Sequence, residues 1–135
     1  MTLVDTNVLL DILTADLAWA DWSVEAIDAA ATAGPVYVND VIYAELAARF
    51  DTIEALDAVL AEAGVDLVRT PRPALFLAAK AFLKYRAAGG ARSGVLPDFF
   101  IGAHAAVAGW RLLTRDAARY RSYFPSVGLV TPASR

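Results

Sequence analysis

The chain has 135 residues, of which 58% are hydrophobic and 20% are charged. This length and composition predict a single domain over residues 1–135 with a buried core, and they exclude a disordered chain. The sequence has no cysteine and one histidine, His104, which excludes a disulfide scaffold, a thiolate metal site and a zinc site built on several imidazoles. No apolar run reaches the roughly 20 residues of a membrane helix, and the first residues lack a basic signal segment. We therefore expect a soluble cytoplasmic protein.

The net charge of −3 conceals a strong asymmetry between the two halves of the chain. Residues 1–68 carry thirteen acidic side chains and one basic one, a net charge of −12. Residues 69–135 carry eleven basic side chains and two acidic ones, a net charge of +9. Such a division indicates either an anionic partner for one face or ordinary solvated helix surfaces, and charge alone leaves both interpretations open.

Short apolar runs alternate with longer helical stretches along the whole chain. Apolar strands of this kind are typical of a buried parallel sheet that helices cover on both faces. The pattern therefore predicts a three-layer α/β/α sandwich with a five-stranded parallel sheet. In chain order, the predicted elements are strand 2–4, helices 7–13 and 22–33, strand 36–38, helices 41–50 and 53–63, strand 65–68, helix 73–88, a flexible loop at 89–94, helix 97–108, strand 111–114, helix 115–123 and strand 128–130.

Four acidic residues are predicted close to the carboxyl ends of these strands, where parallel sheets bind their ligands. Asp5 directly follows the first strand, and Asp116 lies two residues beyond the fourth. Glu45 lies in the helix after the second strand, and Asp98 in the first turn of the helix before the fourth. Each acid taken alone could equally cap a helix, complement a helix dipole or, for Glu45, pair with Arg49 one turn away.

The surroundings of these acids favour a metal site. Asp5 and Asp98 are flanked by apolar residues, where a carboxylate is costly unless it has a partner. With carboxylates as the ligands, Mg²⁺ or Mn²⁺ is favoured over zinc. Such an ion lowers the pKa of a bound water and also binds phosphate oxygens. Together with the basic second half of the chain, the acids predict phosphodiester hydrolysis.

Several segments that contain these acids resemble one family in the same order. They are residues 3–9, 43–46, 96–105 and 112–116, the last of which continues through Arg119-Tyr120 to 123–125. At these residues the chain resembles the PIN-domain ribonucleases and, more closely, the VapC-type toxins of bacterial toxin–antitoxin pairs. The four segments together span nearly the whole chain.

The resemblance implies a sheet in the order 3-2-1-4-5 and an endoribonuclease toxin that inhibits translation and growth. It implies cleavage of single-stranded or loop RNA, often transfer or ribosomal RNA, by a homodimer that a cognate antitoxin silences. It also implies that the acids bind Mg²⁺ or Mn²⁺ in one pocket. The implied metal and catalytic residues are Asp5, Glu45, Asp98 and Asp116, with Thr6, Asn7 and Thr114 in support.

Four arginines are the best candidates to contact RNA phosphates. Arg115 and Arg119 lie one turn apart beside Asp116, Arg92 lies in the loop before Asp98, and Arg72 follows the third strand. Three other polar residues are predicted to have no role in the site. We expect a packing or structural hydrogen-bonding role for His104, helix capping by Asp40, and a solvent-facing side chain for Asp11.

The sequence argues against two competing functions and leaves a third one open. A phosphatase with an aspartyl nucleophile needs an acid two residues after the first, where this chain has Asn7. A receiver domain needs a lysine after its last strand, whereas Lys80 and Lys84 both lie in mid-chain. A non-catalytic PIN-like scaffold that binds RNA or a protein stays open as an alternative.

Overall fold

A computed structural model describes residues 1–91 and 93–132 of the chain. Its centre is a five-stranded parallel sheet in the order β3-β2-β1-β4-β5, which confirms the predicted order. In the register of the sheet, Leu3 pairs with Tyr37 on one side and with Leu112 on the other. The strands are β1 Thr2–Val4, β2 Val36–Asn39, β3 Val65–Val68, β4 Arg111–Leu113 and β5 Leu129–Val130.

Helices flank the sheet and connect its strands. Leu3 and Val4 point to opposite faces of β1, and neither is exposed, so both faces of the central strand are covered. The helices are α1 Thr6–Leu13, α2 Ala20–Ala33, α3 Asp40–Ala47, α4 Ile53–Ala63, α5 Arg72–Ala87, α6 Leu96–Ala108 and α7 Ala118–Tyr123, with a short 3-10 helix at Ser93–Val95. No helix within the described residues is long and apolar enough to cross a membrane.

Local hydrogen bonds explain where several helices begin. Asp5 caps α1 by accepting the Thr6 N–H, and Asn39 caps α3 by accepting the Ile42 N–H. The prediction that Asp40 caps a helix is wrong, because Asn39 holds the N-cap position, while the Asp40 carboxylate accepts the backbone N–H and the hydroxyl of Thr70. Asp40 therefore ties the start of α3 to the segment after β3.

Two predicted helix boundaries differ from the structure by three residues, and the others by at most two. The predicted helix 41–50 ends at Ala47, and the predicted helix 115–123 begins only at Ala118. In the second case the backbone N–H of Arg115 donates to Asn7 Oδ1 at 3.2 Å, and that of Asp116 donates to Thr114 Oγ1 at 3.1 Å. These side-chain partners give residues 115–117 an alternative to a helical ladder.

Candidate active site

Asp5 forms the floor of the candidate site at the end of β1. Its side chain is buried, with Oδ1 accepting the Thr6 N–H at 2.7 Å. Its Oδ2 accepts two hydroxyls, from Thr114 at 2.8 Å and from Tyr120 at 2.8 Å. Burial raises the pKa of Asp5 to about 6, with a further increase from the charge of Asp98, while the hydrogen bonds oppose the rise. The carboxyl is therefore mostly charged at neutral pH and gains a proton as the pH falls toward 6.

Glu45 lies on α3 with its side chain exposed above this floor. The Thr6 hydroxyl donates to Glu45 Oε1 at 2.7 Å, while the Thr6 backbone N–H donates to Asp5. One threonine therefore connects two of the predicted acids through its two donors. Thr6 therefore lies beside both acids, and its supporting role stays a prediction.

Asp98 lies in the first turn of α6 and is half-buried. Its Oδ2 accepts a charge-assisted hydrogen bond from Arg119 Nη1 at 2.5 Å. The Arg119 guanidinium also lies 5.8 Å from the centre of the Tyr85 ring, a cation–π distance. Arg119 is therefore a counter-ion of a predicted metal ligand.

Thr114 and Asn7 link the floor of the site to the segment that carries Asp116. The Thr114 side chain is fully buried, and its Oγ1 donates to Asp5 while it accepts from Asn7 Nδ2 at 3.3 Å and from the Asp116 N–H at 3.1 Å. Asp116 itself has an exposed side chain. The Thr114 hydroxyl thus links the backbone of Asp116 to Asp5, while the Asp116 side chain is exposed.

Tyr120 is a site residue that the sequence analysis did not assign. It is 2% exposed on α7, and its hydroxyl donates to Asp5. Burial and the negative charges of Asp5, Asp98 and Glu45 raise its pKa well above the usual value. Burial and the negative charges of three predicted acids therefore keep the Tyr120 hydroxyl protonated. In the sequence, Tyr120 has the signal of a core aromatic, and its partner lies 115 residues away.

Arg115 is bound into the structure more firmly than the sequence indicated. It pairs with Asp11 and lies 5.0 Å from the centre of the Trp19 ring. The prediction that Asp11 faces solvent is wrong, because its carboxylate is buried and also accepts the Ser23 hydroxyl at 2.9 Å. The side chain of Arg72 is exposed where α5 begins.

Arg92, the fourth predicted phosphate contact, lies outside the described residues. His104 is buried, and its Nδ1 accepts a 3.1 Å hydrogen bond from Asn39 Nδ2. Its ring also packs against Trp110, with centroids 5.2 Å apart. The expected structural role of His104 is therefore confirmed.

The donor chemistry of the site fits a hard divalent cation. Across residues 1–91 and 93–132, no three acidic or histidine side chains are grouped closely enough to hold a metal ion as they stand. Mg²⁺ does not require such a cage, because it keeps several waters and binds proteins through one or two carboxylates. Asp5 Oδ1 accepts a single hydrogen bond within the described chain, so it retains a lone pair for an ion.

A shallow groove of about 470 Å³ adjoins these acids between α3 and α6. Its walls are mostly apolar, and Glu45 is one of the residues that line it. The groove is therefore a surface along which a chain could run past the site. It is lined by Asp40, Val41, Ala44, Glu45, Leu96, Pro97 and Phe100.

Comparison with known families gives one match, the sequence model of the PIN domain, over residues 2–124. No curated protein matches the sequence. Among solved structures, the chain is similar to one in the VapBC2 complex of Rickettsia felis bound to a promoter DNA fragment, with TM-score 0.75, 14% identity and 98% of each chain covered.

Two further structures show the same likeness. One is a toxin–antitoxin complex from Klebsiella pneumoniae, with TM-score 0.67, 19% identity and 100% of each chain covered. The other is VapBC-1 from nontypeable Haemophilus influenzae, with TM-score 0.70, 15% identity and 96% of each chain covered. At these identities the likeness establishes a shared fold over essentially the full length of the chain.

Proposed function

Because the chain belongs to the PIN-domain family, we propose that it is a metal-dependent endoribonuclease that hydrolyses RNA phosphodiester bonds. The observation that carries this proposal is the buried Asp5 at the carboxyl edge of the sheet, which accepts from Tyr120 and Thr114 and shares the donor Thr6 with Glu45. Asp116 follows β4 at that same edge. An acidic, oxygen-only site of this kind suits Mg²⁺ or Mn²⁺.

The acids divide into holding and proton-transfer roles. A bound Mg²⁺ or Mn²⁺ would lower the pKa of a coordinated water and neutralise charge on the phosphodiester. Asp5, held by Thr6 and Thr114, would bind the ion directly, and Asp98 and Asp116 would bind it either directly or through its coordinated waters. Glu45 would complete the ligand set or accept a proton from the attacking water, since its side chain is exposed.

The RNA would pass along the groove beside Glu45, with its phosphates near the basic residues of the second half of the chain. Arg119 is close to the site but is paired with Asp98. When RNA binds, the Arg119 guanidinium would leave the Asp98 carboxylate and pair with an RNA phosphate. Arg72 is exposed and available at the same edge of the sheet. Arg115 and Arg92 complete the proposed phosphate contacts.

We further propose that the chain is the toxin of a VapC-type toxin–antitoxin pair that acts in the cytoplasm. The similar structures named above are toxin–antitoxin complexes, which supports a cognate antitoxin as a partner. The proposed substrates are transfer or ribosomal RNA, whose cleavage would inhibit translation and growth. The proposed assembly of the toxin is a homodimer.

A second candidate function is a PIN-like scaffold that binds RNA or a protein without cleaving it. The observation that favours it is the Arg119–Asp98 ion pair, in which a protein cation is already in contact with a proposed metal ligand. The two candidates differ in whether a divalent ion can displace this guanidinium.

The test is cleavage of total RNA by the purified protein in Mg²⁺ or Mn²⁺, with excess chelator as the matched control. We expect cleavage with the ion, no cleavage in chelator, and none with the Asp5→Asn variant. Cleavage that persists in chelator would exclude the metal mechanism. RNA binding without cleavage in either ion would favour the scaffold. For the toxin role, induced expression in a bacterial host should arrest growth with the wild type and not with Asp5→Asn.

A further inference from the structure

The Tyr120 hydroxyl has Asp5 as its hydrogen-bonding partner inside the protein. Tyr120 is 2% exposed and Asp5 is 4% exposed, so water does not compete for this contact. The distance from the phenol oxygen to Asp5 Oδ2 is 2.8 Å. Because a charged carboxylate can only accept hydrogen bonds, the phenol is the donor. Tyr120 therefore fixes the orientation of the Asp5 carboxylate.

The two oxygens of Asp5 differ in how many lone pairs they have left. Each carboxylate oxygen has about two acceptor positions. Oδ2 accepts from Tyr120 and from Thr114, both at 2.8 Å, and from Asn7 Nδ2 at the longer distance of 3.4 Å. Oδ1 accepts the Thr6 N–H alone among the described residues. Oδ2 is thus saturated, whereas Oδ1 can still bind a cation.

We propose that Tyr120 is a positioning residue that limits Asp5 to coordination through Oδ1 alone, and that it thereby selects Mg²⁺ over Ca²⁺. This inference rests on the metal dependence proposed above. Mg²⁺ requires a tight octahedron and takes carboxylates through one oxygen, whereas Ca²⁺ accepts six to eight ligands and readily takes both oxygens of a carboxylate. An Asp5 whose second oxygen is held by hydroxyls suits the first ion and disfavours the second.

Tyr120→Phe is the cleanest way to release Oδ2. The change removes one oxygen atom and keeps the buried ring, so the packing of α7 is retained. Thr114 is less suitable, because its hydroxyl also accepts from Asn7 and from the Asp116 backbone. Tyr123→Phe is the matched control, since Tyr123 lies on the same helix and its hydroxyl does not contact Asp5.

The experiment is calorimetric titration of each full-length protein with Mg²⁺ and, separately, with Ca²⁺, together with thermal melting of each variant. The measured quantity is the ratio of the Ca²⁺ dissociation constant to the Mg²⁺ dissociation constant. We expect this ratio to fall by about fivefold or more in Tyr120→Phe, the factor given by the net free energy of one hydrogen bond. Tyr123→Phe should keep the wild-type ratio.

An unchanged ratio in a folded Tyr120→Phe would overturn the inference and leave the nuclease proposal standing. A wild type that binds neither ion and cleaves no RNA would overturn both. A crystal structure of the wild type with Mn²⁺ gives a second readout that does not depend on the variant folding. We expect contact through Oδ1 alone, and contact through Oδ2 or through both oxygens would refute the positioning role.

Discussion

Arg115 donates two hydrogen bonds to the buried carboxylate of Asp11, from Nε to Oδ2 at 2.5 Å and from Nη2 to Oδ1 at 2.9 Å. The fork joins α1 to the segment after β4, directly before Asp116. Trp19 and Ser23 extend the contact to α2 and to the loop that precedes it. Arg115 therefore holds the fourth predicted acid in place, in addition to its proposed contact with RNA.

Arg115→Lys should separate these two roles. Lysine keeps the positive charge but offers a single ammonium in place of the planar fork, so it cannot reproduce the contact with Asp11 and Trp19. We expect a loss of about 1–3 kcal/mol in the free energy of unfolding, measured by urea denaturation, because a buried acceptor loses part of its partner. The salt dependence of RNA binding should change little, since the charge remains.

Arg72→Lys is the matched control for this prediction. Its side chain is exposed, and a surface change of this kind is expected to alter stability by no more than about 0.5 kcal/mol. Equal unfolding free energies for Arg115→Lys and the wild type would show that the fork with Asp11 contributes nothing to the fold.

The buried Asp5 gives the stability of the protein a distinct pH dependence. Its pKa is about 6 in the folded chain against 3.8 for an ordinary aspartate, so between these values the folded state binds a proton that the unfolded state has lost. The free energy of unfolding must then fall as pH rises from about 4 to above 6. The resulting loss in the free energy of unfolding is about 3 kcal/mol.

Asp5→Asn is the comparison that isolates this contribution. Urea denaturation in chelator from pH 4 to pH 8 should show the wild type losing stability relative to Asp5→Asn as pH rises. The pKa of His104 is lowered by burial, so His104 makes the free energy of unfolding rise with pH. This contribution is the same in both proteins and cancels when their free energies are subtracted. Parallel pH profiles for the two proteins would contradict the raised pKa of Asp5.

The sheet could be anticipated from the sequence because its determinants are local. Apolar runs of three to four residues alternating with helices predict buried parallel strands, and Asp5 follows the first of them. The order of the strands came from the resemblance to a family, since periodicity does not specify which strands are neighbours. Parallel sheets bind ligands at the carboxyl ends of their strands. Asp5 and Asp116 follow the first and fourth strands, so their place at this edge could be predicted correctly.

The contacts that distinguish this site were not accessible from the sequence. Asp11 is the one charged residue on the apolar helix α1, and this pattern predicts an exposed side chain. In the structure the Asp11 carboxylate is buried, where it pairs with Arg115 and accepts the Ser23 hydroxyl. Tyr120 contacts Asp5 through a hydroxyl, while its ring gives the pattern of a core residue. Both partnerships join residues far apart in the chain, and they depend on tertiary packing rather than on spacing.

Glu45→Gln should remove activity without affecting the fold. Glu45 is exposed, and an amide oxygen can still accept the Thr6 hydroxyl that now binds Oε1, so the free energy of unfolding should stay within about 0.5 kcal/mol of the wild type. A neutral amide can neither bind a proton nor hold a cation strongly, so the RNA cleavage rate should fall about 100-fold or more.

Glu25→Gln provides the control, because Glu25 is an exposed glutamate on α2 and is not one of the four predicted site acids. Its cleavage rate should equal that of the wild type in the same assay. Wild-type cleavage by Glu45→Gln would remove Glu45 from the proposed machinery.

Asp98→Asn tests whether Asp98 is a metal ligand or a structural partner of Arg119. Without metal, the change relieves repulsion between Asp98 and Asp5 but removes the ion pair with Arg119. Both side chains of that pair are partly exposed, so the pair is worth no more than about 1 kcal/mol. The two effects oppose each other, and we expect the metal-free variant to unfold within about 1 kcal/mol of the wild type.

The two possible roles of Asp98 predict different responses to metal. A wild type that binds Mg²⁺ or Mn²⁺ gains about 2.7 kcal/mol at a hundredfold excess over the dissociation constant, whereas Asp98→Asn should gain much less. Thermal melting in chelator and in millimolar ion measures this difference. Asp21→Asn is the control, since Asp21 is an exposed acid in the first turn of α2 and should respond to the ion as the wild type does. If Asp98→Asn melts lower in chelator yet gains as much from the ion as the wild type, then Asp98 serves to hold Arg119 and is not a ligand.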